Sequence, residues 1–165
     1  MAVSRTIAVL VGNPALSSIL TMTLAASPAL KVRPFESTLA LSVYLRIAPI
    51  DLLVLDLDSR NLPAAQVMRE LHFDLGLDRP EFEVIALTSR VTPALREAGH
   101  SAGIDEIVVK PMSPRYLLER VEARIAAARK PDLPPAPRPS PPLAPPPDLS
   151  NVIPLWTRNR PMPTH

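Results

Sequence analysis

The chain has 165 residues, a formal net charge of +2, no cysteine and only 4% aromatic residues, against a large aliphatic content. No cysteine means no disulfide scaffold and no cysteine-ligated metal, and it permits a reducing compartment. Up to Arg129 there are fourteen basic and fourteen acidic residues, a field too weak to propose nucleic-acid binding from charge.

In chain order, the apolar run within "MAVSRTIAVLVGNPAL" reads as a first strand over residues 6–11 rather than as a signal core. A helix follows over 14–26, with Leu16, Ile19, Leu20 and Leu24 expected on one buried face. A short strand is predicted over 30–34 and a helix over 37–47, with Leu41, Tyr44 and Leu45 inward. Then come a strand over 51–57, a helix over 63–72, a strand over 83–87 and a helix over 92–99. A strand over 106–109 and a helix over 114–129, carrying Leu117, Leu118, Val121 and Ile125, complete the series. Pro14, Pro63, Pro93 and Pro114 sit near helix starts, where a missing N–H is harmless. Thr92-Pro93 and Ser113-Pro114 have the form of a cap plus first turn. The polar stretch "HFDLGLDRPEFE" is expected to lengthen the connection before the fourth strand.

Apolar strands alternating with amphipathic helices imply an α/β domain, 1–129, built on a parallel sheet covered on both faces. Beyond it, 13 of the 22 prolines follow Lys130, so 130–149 is expected to be a disordered, polyproline-like spacer. Its PxxP patterns, Pro134–Pro137 and Pro139–Pro142, are also the form of a ligand for aromatic-lined grooves. Ile153, Leu155 and Trp156 then form a short apolar motif, read either as a cap on the domain or as a recognition motif. No run reaches the roughly 18 apolar residues that span a bilayer, so the expectation is a cytoplasmic protein without a membrane or nucleic-acid partner. His72, His100 and His165 show no ligand spacing and are assigned to surface or helix-edge positions.

In a doubly wound sheet, ligands bind beyond the carboxyl ends of the strands. The residues there are Val11-Gly12-Asn13, Asp56-Leu57-Asp58, Thr88-Ser89 and Lys110-Pro111. A carboxylate ending the apolar run Leu52–Leu55 is costly unless something uses it. Together a carboxylate, a hydroxyl and an ammonium can accept and hold a phosphoryl group. Each also has a plainer reading: Asp56 and Asp58 as a strand-end turn with Asp58 capping the next helix, Thr88 as structural, and Lys110 in a permanent salt bridge with Asp56.

"DLLVLDLDSRN", "VIALTSR" and "AGIDEIVVKPMSP", in this order and spacing, resemble the receiver domain of bacterial two-component response regulators over about residues 4–129. The resemblance implies a flavodoxin-like, five-stranded parallel sheet of order 2-1-3-4-5. It implies Asp56 as phosphoacceptor, Thr88 as switch hydroxyl and Lys110 as phosphate-binding lysine. A histidine kinase or phosphotransfer protein would be the donor, and the role would be signalling rather than enzymatic. Two positions depart from the family. Val11 and Gly12 stand where it carries an acidic pair that holds Mg²⁺, leaving Asp58 and Asn13 as candidate metal ligands. Ile107 stands where it carries an aromatic switch residue.

The expected function is therefore an atypical single-domain receiver in phosphorelay signalling, with output through binding an unknown downstream protein. The alternative is a pseudo-receiver, an interaction or scaffold module independent of phosphorylation. A flavin- or nucleotide-binding protein of the same fold is a weaker reading, because "VGNPALSS" is not a phosphate cradle. A homodimer would be sought around the fourth and fifth helices, including Arg96, Glu119 and Glu122.

Overall fold

The computed structural model describes residues 4–59, 64–76 and 81–128. The predicted spacer and the Ile153, Leu155 and Trp156 motif lie outside the described residues, as does His165.

Five strands and five helices alternate as the patterning predicts: β1 (Arg5–Leu10), α1 (Pro14–Ala25), β2 (Leu30–Phe35), α2 (Thr38–Leu45), β3 (Leu52–Asp56), α3 (Ala64–Leu75), β4 (Glu83–Thr88), α4 (Pro93–Ser101), β5 (Glu106–Val109) and α5 (Pro114–Ala128). The strands form one parallel sheet in the order β2-β1-β3-β4-β5, which is the flavodoxin-like order expected.

Period-two alternation divides the core between two layers. On β1, Ile7 and Val9 face one layer with Leu20, Leu24, Leu117 and Val121. Ala8 and Leu10 face the other with Leu41, Met68 and Leu71. All five residues of β3 are buried, so this strand is apolar on both faces until its last position. Truncating Leu53 or Leu55, both fully buried, to Ala would cost about 2–5 kcal/mol.

Two details differ from the sequence expectation. Helix α3 continues one turn beyond His72 to Leu75. Leu75 packs on the core, Asp74 accepts a hydrogen bond from Ser42 of α2 at 2.8 Å, and Gly76 at φ +62° leaves the helix in the left-handed region that favours glycine. The first residues of the supposed connection are thus helix. On α1, Leu20 and Leu24 are buried and Leu16 packs against the core, but Ile19 is half exposed. The apolar face of α1 is wider than its contact with the sheet.

Candidate functional site

The parallel register brings the ends of β3, β4 and β5 to one edge. Asp56 pairs with Leu87, and Thr88 pairs with Val109. One further backbone bond, Lys110 N–H to Thr88 O at 2.7 Å, carries the β5 edge past the strand end. The Lys110–Pro111 peptide is cis. Asp56, Thr88 and Lys110 are therefore assembled by sheet geometry, each within one residue of a strand terminus.

Asp56 and Thr88 are buried, at 4% and 2% exposure, among the few polar side chains in the core. Asp56 Oδ1 accepts from Lys110 Nζ at 2.8 Å and from the Asp58 backbone N–H at 3.1 Å. The ammonium also lies 3.0 Å from Asp58 Oδ2. Lysine has three donor protons and no acceptor, so one cation here serves two carboxylates. Burial lowers the Lys110 pKa, and its bonds to Asp56 and Asp58 outweigh this and raise it.

Asp58 is bonded to the neighbouring strand end. Its carboxylate reaches across to the end of β4, where Oδ1 accepts from Thr88 Oγ1 at 2.9 Å and Oδ2 accepts from the Ser89 backbone N–H at 2.6 Å. Thr88 Oγ1 also lies 3.1 Å from the Arg90 carbonyl oxygen and receives the Arg90 N–H at 3.2 Å. A hydroxyl has one proton to donate. The shorter, charge-assisted contact to Asp58 is the stronger of the two. Partial burial pushes the Asp58 carboxyl up, but hydrogen bonds from Lys110, Ser89 and Thr88 outweigh it and bring it down from 3.8 to about 2.

The β1 side of the same cleft is different. Val11 is buried in the core at 4% exposure. Gly12 is closely covered: a Cβ built there would lie 2.2 Å from Ser59 Oγ. Asn13 caps α1, its Oδ1 accepting from the N–H groups of Ala15 at 2.9 Å and Leu16 at 3.2 Å. Gly12, Asn13, Pro14 and Ser59 face Asp56, Asp58 and Lys110 across an open cleft.

These residues do not fit Mg²⁺. A small hard cation wants an octahedron of oxygens including free carboxylates. Here both carboxylates are paired with Lys110, the Asn13 carbonyl is bonded within its own helix turn, and position 12 has no side chain. Among the described residues no group of three or more His, Asp or Glu is placed to hold a metal ion. His72 and His100 sit singly in the last turns of α3 and α4.

Ile107 packs inward. Its Cδ1 lies 3.4 Å from where a Cβ on Gly99 would be, and it joins the core layer behind α4. Of the three residues named for a homodimer search, Glu119 pairs with Arg115 along α5 at 3.4 Å, and Glu122 accepts from Ser27 of the α1–β2 turn at 3.0 Å. Arg96 lies on α4. Two participants escaped the sequence reading. The Ser89 donor is a backbone N–H, which no residue type advertises. Ser59 matters only because the fold folds it over Gly12.

No family model matches the chain. A curated relative is the transcriptional regulatory protein ResD of Bacillus subtilis, 33% identical over 81 residues. The match takes in 49% of this chain and 32% of that protein, so the chain spans about a third of the length of its relative. Among solved structures, a two-component response regulator from Clostridium difficile superposes with a TM-score of 0.66 at 12% identity, covering 77% of this chain and 100% of that one. The Vibrio cholerae chemotaxis protein CheY4 gives 0.64 at 14% identity, with 73% and 98% covered. A response regulator from Thermotoga maritima gives 0.62 at 21% identity, with 74% and 98% covered. The described domain, with its five parallel strands in the order β2-β1-β3-β4-β5 and its acid, hydroxyl and lysine at one edge, has the fold of response regulator receiver domains.

Proposed function

We propose that this is an atypical receiver in two-component phosphorelay signalling, with Asp56 as the phosphoacceptor. The observation that carries the reading is Asp56 itself: a carboxylate at 4% exposure, ending an otherwise apolar strand, with Lys110 Nζ 2.8 Å away and the Thr88 hydroxyl at the neighbouring strand end. Both recorded bonds to Asp56 fall on Oδ1. Oδ2 is the oxygen for attack on the phosphorus of a phosphohistidine in a histidine kinase or phosphotransfer protein. The new Oδ2–P bond forms as the P–N bond breaks, and imidazole leaves with the bonding pair. Lys110 and the β4-end donors neutralise charge on the transferred group, the role cations and oriented N–H groups play in phosphoryl transfer. No step is routed through Mg²⁺, which the donor set does not suit. The output proposed is a change in protein–protein binding at the surface of the domain.

The test is intact mass after incubation with acetyl phosphate, run with Mg²⁺, with EDTA and with Asp56→Ala. The expected result is a phosphoryl mass gain that is lost in Asp56→Ala and indifferent to EDTA. No gain in acetyl phosphate or with any histidine kinase of the source cell ends the reading. It would leave the pseudo-receiver, an interaction module that signals without phosphate. Val11 and Gly12 at the acidic-pair positions and the standing Lys110–Asp56 ion pair favour that second reading.

A further inference from the structure

Three donors of different origin converge on one anion at the site edge: the Thr88 hydroxyl, the Ser89 backbone N–H and the Lys110 ammonium, at 2.9, 2.6 and 3.0 Å from the Asp58 carboxylate. A hydroxyl, an amide and a cation arranged around a single group constitute an oxyanion site. The anion in it belongs to the protein. A phosphoryl group on Asp56 would need the same three donors. Its phosphorus would lie one bond and its free oxygens two bonds beyond the Asp56 carboxylate oxygen, and Lys110 already touches that carboxylate at 2.8 Å.

We infer that Asp58 is a built-in occupant of the phosphoryl site, holding Thr88, Ser89 and Lys110 in their anion-engaged arrangement with no phosphodonor present. Asp58 is suited to this. It is two residues from Asp56, and its own N–H bonds back to Asp56 Oδ1 at 3.1 Å, which fixes the turn that aims the side chain at β4. Its side chain keeps 30% exposure, so it can swing outward into the open cleft without disturbing the core. Thr88 is 2% exposed and hydrogen-bonds to Asp58 from the end of β4, so its hydroxyl is held toward the site. The consequence is regulatory. The unmodified domain rests with these three donors already on an anion, and a phosphoryl group must displace Asp58 to enter.

The inference rests on the receiver reading only for the identity of the displaced group, and the test separates the two. Amide hydrogen exchange and ¹H–¹⁵N spectra of the full chain, wild type and Asp58→Ala, report Ser89 with no phosphodonor present. The expected result is a strongly protected, downfield Ser89 amide in the wild type, with protection falling about tenfold and the proton moving upfield in Asp58→Ala. Asp58→Asn, which keeps the shape and loses the charge, falls between. Acetyl phosphate labelling then runs faster in Asp58→Ala than in the wild type, by about tenfold if one charge-assisted contact must be displaced. A Ser89 amide unchanged by Asp58→Ala overturns the proposal. So does labelling that drops in Asp58→Ala, which would make Asp58 a support of the transfer rather than an occupant. If neither protein labels with acetyl phosphate or with any histidine kinase of the source cell, the receiver reading fails, and the Ser89 amide alone still decides whether Asp58 fills the site.

Discussion

The two sides of the strand-end cleft differ in charge and in how their polar groups are satisfied. On the β1 side, charge is absent: Val11 is core, Gly12 is covered by Ser59, and Asn13 serves its own helix. On the β3–β4–β5 side, charge is dense and self-satisfied, with Asp56, Asp58, Thr88 and Lys110 joined by contacts of 2.8–3.0 Å. The two facts belong together. Without a bound cation, a carboxylate at position 12 would stand on the same cleft as Asp56 and Asp58 with Lys110 as the only ammonium of the cluster. Like charges at that range repel by several kcal/mol in a partly buried setting. Once the β1 side is apolar, one lysine and two neutral donors are enough for two carboxylates. The contrast teaches that two carboxylates, one lysine and two neutral donors can satisfy one another beside a wall held by packing alone.

The largest expected effect comes from removing the shared cation. Lys110→Met keeps most of the stem volume but leaves Asp56 charged at 6% side-chain exposure beside Asp58. Breaking a fully buried pair costs about 3–5 kcal/mol, and the partial exposure here lowers the expected loss to about 2–4 kcal/mol. Urea unfolding at pH 7 measures it, and Asp56→Asn added to Lys110→Met should recover part of the loss through coupling between contacting residues. A loss below about 0.5 kcal/mol would put the network in the class of surface ion pairs and dissolve the contrast between the two sides.

A smaller effect is expected from pH. The Asp58 carboxyl lies at about 2 in the folded chain, against an ordinary value of 3.8. A carboxyl depressed on folding adds stability that is fully present above its unfolded pKa and disappears as pH falls through the folded one. The stability difference between wild type and Asp58→Asn is therefore expected to be flat from pH 7 to about 5 and to shrink between about pH 4.5 and 2, with a total change that solvent screening at this exposed residue reduces to about 1 kcal/mol. Urea midpoints across that range measure it. A difference that stays constant down to pH 3 would mean that Asp58 titrates normally and is not held by Lys110, Ser89 and Thr88.

Much of this contrast was legible in the sequence, and the missing parts have physical causes. Strand and helix order followed from periodicity, because fully apolar runs such as Leu52–Leu55 fit only a sheet covered on both faces. The edge location of Asp56, Thr88 and Lys110 followed from topology, since parallel strands put all their carboxyl ends on one side. The extra turn of α3 was obscured because the polar residues of "HFDL" resemble a loop, while its helical contacts, Asp74 to Ser42 and Leu75 to the core, are long-range. The roles of Asp58 and Asn13 were open for a related reason. Residue type names an oxygen but not its direction, and both directions are set by backbone N–H groups, Ser89 for one and Ala15 with Leu16 for the other.

The smallest effect separates the two sides most cleanly. Asn13 Oδ1 accepts two of the N–H groups that open α1, so Asn13→Ala removes a helix cap and should cost about 1 kcal/mol. If the side chain serves only the helix, the loss should appear in urea unfolding and leave the rate of Asp56 labelling unchanged, with or without Mg²⁺. Asn13→Asp supplies the opposing control. It keeps the cap, adds negative charge at the positive end of the helix dipole, and should be as stable as the wild type or slightly more so. It also places a carboxylate beside Gly12 and Asp56 on the cleft wall. A labelling rate that falls in Asn13→Ala and becomes Mg²⁺-dependent in Asn13→Asp would show that this residue reaches the phosphoryl site. In that case the β1 side retains part of a metal-binding role, and the difference between the two walls becomes one of degree.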